Sequence, residues 1–388
     1  MRIARRMRVA AALAAVLGVA LAGCAAERPA PVPSPTAASP TPSPTPTAVD
    51  PIDALTLEQR VGQLFMVGTS VDGADPTTLA AIADPGIGGI FLHGRSTAGT
   101  AGTAALVAQF TAVHPASAPH LWVATDQEGG DVQVLAGDGF EQMPTALTSA
   151  QRDDATLRTD AARWGSQLAA AGIDMNLAPV ADIITSPETS RLNQPIGIYN
   201  RHYGYDEATI AGKAGAFAQG MRDAGILPTI KHFPGLGRVT GNTDYASDVV
   251  DTEVGADAPD VAVYRTLLAE GPSVVMMATA VYERIDPTAP AAFSAPVVTG
   301  LLREDLGFDG VVMTDDLSAP AQVEKWAPAD RALLAVDAGV DLLLLSADAS
   351  VFPEMYGAVL DRARTDPDFA DKVDDAARRI LALKASFP

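Results

Sequence analysis

The chain has 388 residues, of which 48% are hydrophobic and 19% are charged, and its formal net charge is −20. This length and composition allow a large buried core, and they fit either one large α/β barrel or two ordinary domains. The acidic balance argues against nucleic acid and anionic lipid head groups as partners, because an acidic surface repels both.

Residues 1–23 have the pattern of a bacterial export signal. Four arginines lie within the first eight residues, and a run of alanine, valine and leucine follows that is too short for a membrane span. The segment ends in a lipoprotein-like box, Leu21-Ala22-Gly23-Cys24, which holds the only cysteine. We expect cleavage before Cys24 and acylation of its thiol, so that the exported protein is lipid-anchored to the cell membrane and faces the cell wall. An unlipidated secretory signal is the alternative.

Residues 24–51 are rich in proline, alanine, serine and threonine and have almost no large apolar side chain. Such a composition buries too little surface to offset chain entropy, so it predicts an extended, semi-rigid spacer. The folded domain is therefore expected over residues 52–388. With one cysteine in the whole chain, no internal disulfide can form.

From Leu55 onward, alanine-rich amphipathic segments end at a glycine and apolar, β-rich runs follow them. This alternation predicts helices and buried strands that build a parallel sheet. Eight strands within about 330 residues favour a single (β/α)8 barrel of the TIM type over an open sheet. No dinucleotide-binding glycine pattern follows the first strand. The predicted strands are Gly62–Val67, Gly88–Leu92, Leu121–Thr125, Met175–Val180, Leu227–Ile230, Val274–Ala278, Gly310–Met313 and Val340–Leu345.

Polar residues follow four of these strands, at the carboxyl ends where the active site of such a barrel lies. A glycine-rich loop after the fifth strand is long enough to fold back and bring Asp244 near Lys231 and His232. A buried lysine paired with an acid, beside an unrelated surface loop, is an equally good local interpretation. The polar residues at strand ends are Asp126, Gln127, Glu128, Asp182, Lys231, His232, Asp315 and Asp316.

Carboxylates are the main candidates for catalytic groups in this sequence, because it lacks the common metal-binding, serine-hydrolase and phosphate-binding motifs. The sequence has no His-Glu-x-x-His and no cysteine–histidine cluster, so we expect no metal and no cofactor. It also lacks Gly-x-Ser-x-Gly and a P-loop. Paired carboxylates across a sugar-sized gap are typical of glycoside hydrolases. After the seventh strand, Asp315 is expected to face the cavity, while Asp316 or Ser318 caps the next helix.

Four motifs in this order resemble glycoside hydrolase family 3, and within it the single-domain NagZ-type β-N-acetylglucosaminidases in their actinobacterial lipoprotein form. The motifs are Leu55–Phe65, Asp126–Gly130, Lys231–Gly235 and Thr314–Ser318. The resemblance covers the chain from Leu55 to its end. It implies a retaining enzyme that hydrolyses terminal, non-reducing N-acetylglucosamine from peptidoglycan fragments.

The resemblance also implies roles for individual residues. Asp315 matches the nucleophile of the family, which forms a covalent glycosyl-enzyme. Asp126, Arg201, Lys231 and His232 match residues that hydrogen-bond sugar hydroxyls; an arginine in a loop is otherwise most often just solvated. The expected partner is thus a small carbohydrate, and the protein is expected to be a monomer that touches the membrane only through its lipid.

The sequence departs from the family pattern at the acid/base. The usual Asp-x-His pair is replaced by Asn242-Thr243-Asp244, so Asp244 stands where the histidine would be. A carboxylic acid can serve if burial or a neighbouring carboxylate raises its pKa, and Asp248 is a second candidate. An anionic acid/base repels phosphate, which favours hydrolysis over phosphorolysis. Asp131 and Val134 stand where the family usually has arginines, so one sugar contact is replaced or absent.

Two other functions remain open at this point. A β-glucosidase or another exo-β-glycosidase could use the same barrel, because no motif recognises the acetamido group directly. A cell-surface sugar-binding lipoprotein could have kept the barrel and lost catalysis together with the Asp-x-His pair. The presence of Asp315 and Asp244 argues against the second of these.

Overall fold

The computed structural model of the protein describes residues 50–387. The predicted signal peptide, Cys24 and all but the last residues of the predicted spacer lie outside this range. Asp50 already belongs to the folded body, because its side chain caps a short helix and accepts a 2.7 Å hydrogen bond from Arg378 Nε. No helix within residues 50–387 is long and apolar enough to cross a membrane.

Eight parallel strands form the centre of the fold, and their order in the sheet follows the chain. The sheet closes where β7 meets β8, because Met313 pairs with Leu342 and the backbone N–H of Leu342 donates to Val312 O at 3.0 Å. The predicted (β/α)8 barrel is therefore confirmed. The strands are β1 Phe65–Ser70, β2 Gly89–His93, β3 Trp122–Thr125, β4 Met175–Asn176, β5 Leu227–Phe233, β6 Val274–Met277, β7 Val312–Thr314 and β8 Leu343–Leu345.

Helices surround the barrel and connect its strands. The helix-ending glycines predicted at the junctions adopt the left-handed backbone that favours glycine, as at Gly172 (φ 78°) and Gly339 (φ 102°). A π-helix, Pro296–Asp305, precedes β7. The longer α-helices are α1 Leu57–Gln63, α2 Pro76–Ala83, α3 Gly99–Val113, α4 Asp154–Ala170, α5 Glu207–Asp223, α6 Pro259–Leu268, α7 Pro328–Ala338, α8 Phe352–Thr365 and α9 Pro367–Ser386.

Each predicted strand differs from the observed strand at one boundary or both, and three of these differences have a clear local description. Gly62 and Gln63 are the last residues of helix α1, which is capped at Thr56, and the strand begins only at Phe65. Strand β4 has only two residues, and beyond Asn176 the chain pairs with β5 through an isolated bridge between Val180 and Lys231. Strand β5 continues to Phe233, so Lys231 and His232 lie within the strand rather than after it.

The core is built from the apolar strands and the inner faces of the helices. Every residue of β3, β5 and β6 is buried, as expected for parallel strands covered by helices. Because the strands are parallel, their carboxyl ends meet at one rim of the barrel. The side chains that end β5 and β7 therefore reach a common mouth.

Candidate active site

A cavity of about 510 Å³ opens at the carboxyl ends of the strands. Its volume lies in the range of small-molecule sites. The floor is apolar and buried, with Phe91, Leu177 and Met276 among its side chains. All six residues predicted for catalysis or sugar binding line it, namely Asp126, Arg201, Lys231, His232, Asp244 and Asp315.

Four charged side chains beside the cavity form a continuous chain of ion pairs. Lys231 Nζ lies 2.7 Å from Asp126 Oδ1 and 2.7 Å from Glu128 Oε1. Arg201 holds the same Glu128 in a two-pronged contact, with Nε and Nη2 each 2.8 Å from a carboxylate oxygen. Its Nη1 donates to Pro195 O at 2.7 Å. Arg201 is thus fixed by protein partners and is not a solvated loop arginine.

The local backbone explains why Asp126 and Glu128 face the same lysine. Residues Gln127–Gly129 form a short strand paired with Val132–Gln133, and alternate residues of a strand point to the same side. The sequence analysis placed Glu128 among the polar residues at strand ends but assigned it no role, although its spacing of two from Asp126 indicates that both face the same way. A Cβ on Gly129 would lie 2.2 Å from Pro144 O, so this glycine accommodates the protein's own backbone.

Charge pairing decides the protonation states of the network. Burial opposes ionisation of Glu128, but Arg201 and Lys231 outweigh it and hold the pKa of that carboxyl well below its usual range. Burial likewise opposes the charge of Lys231, and Asp126 with Glu128 raises its pKa. Glu128 and Lys231 are therefore charged at neutral pH, and the side chains of Lys231 and Arg201 present fixed donors to a polyol in the cavity.

His232 is oriented by a carboxylate behind it. The buried Asp182 accepts from His232 Nδ1 at 2.8 Å, and also from the backbone N–H groups of His232 and Leu236 at 3.2 and 2.7 Å. Because Nδ1 is engaged in this way, Nε2 is the ring nitrogen left to contact a ligand.

The two aspartates after β7 have different environments. Asp316 is buried, and its Oδ1 accepts from Ser318 N, Ser318 Oγ and Ser346 N at 2.8, 2.6 and 2.9 Å. Burial raises the pKa of Asp316. Asp315 is half-buried and accepts one hydrogen bond, from the backbone N–H of Asp316 to Oδ1 at 2.8 Å. Asp315 is thus the better placed of the two to attack a ligand, while Asp316 fastens the loops.

Asp244 lies on the loop that follows β5, and this loop is fastened to the segment after Asp316. The backbone N–H groups of Ala321 and Gln322 donate to Asp244 O and Thr243 O at 3.2 and 3.1 Å. The buried Gln322 side chain also bonds both backbone groups of Val249, at 2.9 and 3.1 Å. The backbone on either side of Asp244 is therefore held beside the segment that carries Asp315.

The protonation of Asp244 is shifted towards the acid form. Its side chain meets solvent at the mouth, but protein atoms crowd the rest of its surroundings. This burial is the largest cause, and the charge of Asp315 the second, of the rise in its pKa to about 6. Asp248, the other loop acid considered, is exposed and does not line the cavity.

The loop that carries Arg201 is joined to the Asp244 loop by Asn193. This buried amide donates to Leu236 O and Val239 O at 2.9 and 2.8 Å. Its Oδ1 accepts from the backbone of Ile196 and Gly197. Neither Asn193 nor Gln322 was predicted, because each acts through backbone groups distant in sequence and belongs to no motif.

Within residues 50–387, no group of three or more histidine, cysteine, aspartate or glutamate side chains is placed to hold a metal ion. Several carboxylates line the cavity. Two of these differ in environment: Asp315 accepts a backbone hydrogen bond, whereas the pKa of Asp244 is raised. A nucleophile and an acid/base need such different environments.

Comparison with known proteins identifies relatives along nearly the whole described chain. The family model for the glycosyl hydrolase family 3 N terminal domain matches residues 56–383. Beta-hexosaminidase LpqI of Mycobacterium tuberculosis is 32% identical over 352 residues, which cover 86% of this chain and 84% of the relative.

Solved structures show the same likeness. A beta-N-acetylhexosaminidase from Beutenbergia cavernae is 55% identical, with a TM-score of 0.84 over 85% of this chain and 99% of that one. A family 3 beta-N-acetylglucosaminidase from Paenibacillus is 33% identical, with a TM-score of 0.78 over 85% of this chain and 62% of that one.

Proposed function

Because the chain belongs to glycosyl hydrolase family 3, we propose that it is a retaining exo-β-N-acetylglucosaminidase that removes terminal β-linked N-acetylglucosamine. It is a glycoside hydrolase, and its relatives are named for hexosaminidase activity. One observation supports the proposal most: Asp315 and Asp244 line the same cavity, and Asp244 has a pKa raised to about 6.

In the proposed first step, Asp315 attacks the anomeric carbon as a carboxylate. The bond from that carbon to the glycosidic oxygen breaks, and protonated Asp244 gives its proton to the departing oxygen. The products are an ester between the sugar and Asp315, a free alcohol, and an ionised Asp244. The raised pKa of Asp244 suits this step, because the residue must start protonated.

In the second step, ionised Asp244 takes a proton from water as that water attacks the anomeric carbon. The ester bond to Asp315 breaks, and both aspartates return to their starting states with N-acetylglucosamine released in the β configuration. Asp126, Lys231 and Arg201 hold the sugar hydroxyls during both steps, with His232 Nε2 as a further contact. Fixed charges of this kind stabilise a transition state without reorganising.

A panel of nitrophenyl β-glycosides tests this function with the soluble body. We expect release from the N-acetylglucosaminide to exceed release from the glucoside, and NMR to show the β anomer as the first product. Preferred turnover of the glucoside would identify a β-glucosidase instead. A first product in the α configuration would contradict the retaining mechanism.

We further propose that the natural substrates are peptidoglycan fragments and that the exported protein is held at the cell membrane by a lipid on Cys24. The substrate follows from the resemblance of the four motifs, and the lipid anchor follows from the sequence pattern of residues 1–24, which lie outside the described structure. Labelling of cells with a fatty-acid analogue tests it. We expect the label on the wild type and its loss in Cys24→Ala, whereas equal labelling of both would contradict lipidation at this residue.

A further inference from the structure

Tyr245 is the most exposed large hydrophobic side chain in residues 50–387, with 82% of its surface accessible. It directly follows Asp244 and lines the same cavity. Within the described part of the chain, its ring stacks on no other aromatic ring and carries no cation. An aromatic ring left this open at the mouth of a cavity leaves a large apolar face available to a ligand.

The backbone fixes where this ring stands relative to Asp244. The N–H of Tyr245 donates to Asn242 O at 3.1 Å, and the N–H of Asp244 donates to Asn242 Oδ1 at 2.9 Å. Both residues therefore belong to one tight turn. Asp244 has to reach the glycosidic oxygen, which lies between the terminal sugar and the leaving group. The adjacent ring thus stands where the leaving group must lie.

Burial along the cavity supports the same placement. Lys231 and His232, proposed to bind the terminal sugar, are 3% and 4% exposed, whereas Tyr245 and Ala319 are exposed at the mouth. A terminal sugar bound among the deep charged groups would direct the rest of the substrate outward, past Tyr245. The buried part of the cavity thus holds charged groups that can bind sugar hydroxyls, while the exposed Tyr245 offers an aromatic face.

We propose that Tyr245 is the platform for the leaving saccharide, and that it stacks on the C–H face of the pyranose ring attached to the terminal N-acetylglucosamine. Sugar rings have an apolar C–H face and a rim of hydroxyls, which match the face and the polar tip of a tyrosine. The inference rests on the proposed function and extends it to the second sugar. It makes Tyr245 a specificity residue for sugar leaving groups over small alcohols.

Two substrates separate stacking from any effect on Asp244. The leaving group of N,N′-diacetylchitobiose is a sugar, whereas that of methyl β-N-acetylglucosaminide is methanol. Both leaving groups need protonation by the acid. We expect Tyr245→Ala to lower kcat/KM for the disaccharide by about five- to twentyfold, mainly through KM. Turnover of the methyl glycoside should stay within about twofold of wild type. Tyr245→Phe should keep the disaccharide activity, because the ring is retained.

Tyr199 provides a matched control, since it is an aromatic residue 39% exposed that does not line the cavity. Tyr199→Ala should leave kcat/KM unchanged for both substrates. An equal loss on both substrates in Tyr245→Ala would show that the ring positions Asp244, and unchanged disaccharide kinetics would show that it contacts no leaving group; either result overturns the proposal. Wild-type protein that releases N-acetylglucosamine from neither substrate would instead refute the proposed function.

Discussion

Asp244 and Asp315 line one cavity, and burial together with the negative charge of Asp315 raises the pKa of Asp244 to about 6. The nucleophile proposed here thus helps to keep its partner protonated. The same repulsion weakens once Asp315 is esterified by the sugar. Asp244 then ionises more readily, as the second step requires of a base.

The first prediction concerns acid catalysis by Asp244. Asp244→Ala should lower kcat/KM by about 10²- to 10⁴-fold for substrates with poor leaving groups, because these need a proton from the enzyme. Activated nitrophenyl substrates should lose much less in the first step, and added azide should restore turnover by giving a glycosyl azide. Asp248→Ala is the control and should leave kcat/KM unchanged for both classes of substrate. An equal loss on good and poor leaving groups would contradict the role of Asp244.

The second prediction concerns pH. Because Asp244 acts as an acid and its pKa is about 6, kcat/KM for a poor leaving group should fall as the pH rises through that value. Asp315→Asn removes a negative charge near Asp244, so the pKa of Asp244 should fall below about 6. It should remain above the ordinary value, because burial persists. Carbon NMR of the aspartate carboxyls measures this directly, and an unchanged or higher pKa would contradict the coupling.

The third prediction concerns the charged network. Glu128→Gln should lower the free energy of unfolding by about 3–5 kcal/mol, because Arg201 and Lys231 lose the charge that pairs with both. It should also raise KM, since both cations would be less well placed. Denaturant unfolding and steady-state kinetics measure the two effects.

A matched control for that substitution is Glu141→Gln. Glu141 pairs with Arg163 at 2.8 Å, but its side chain is 45% exposed, against 4% for Glu128. Loss of this ion pair should lower the free energy of unfolding by about 0–1 kcal/mol, as for other exposed pairs. Equal losses from the two substitutions would show that burial does not strengthen the network.

The fourth prediction concerns the loop that carries Asp244. Gln322→Ala removes both side-chain hydrogen bonds to Val249, so hydrogen exchange around residues 243–249 should accelerate. Turnover of poor leaving groups should fall more than that of activated ones, because Asp244 is held less firmly. Gln219→Ala, which removes one bond to Glu270 O away from the mouth, should change neither measurement. Unchanged exchange in Gln322→Ala would contradict the fastening of this loop.

The fifth prediction concerns the acceptor in the second step. Ionised Asp244 repels phosphate, so reactions in phosphate buffer should yield N-acetylglucosamine and not its 1-phosphate. Product analysis by mass spectrometry decides this. Formation of the sugar phosphate in proportion to buffer concentration would show that phosphate reaches the glycosyl-enzyme despite the charge.

Much of the fold could be predicted because its signals are local. Each apolar run bounded by a glycine gave one barrel strand, as Gly88–Leu92 did for β2, Gly89–His93. Strand ends were less predictable. The apolar pattern of Gly62–Val67 does not show that the helix capped at Thr56 extends to Gln63. The closed barrel followed from the number and order of the strands.

In the candidate site, too, the residues with a local sequence signal could be predicted and the others could not. Lys231 and Asp315 could be placed at the mouth because they end apolar runs, and parallel strands bring such ends together. Asn193 and Gln322 could not, because their bonds reach backbone groups 43 and 73 residues away. Only the folded loops bring those partners within reach.

The central claim is that Asp315 forms a covalent bond to the sugar, and trapping with a 5-fluoro N-acetylglucosaminyl fluoride tests it most directly. The account predicts loss of activity with time and a single added glycosyl mass on the peptide that contains Asp315, and neither effect in Asp315→Asn. A glycosyl label on Asp316, Asp126 or Asp244, or full labelling of Asp315→Asn, would contradict it.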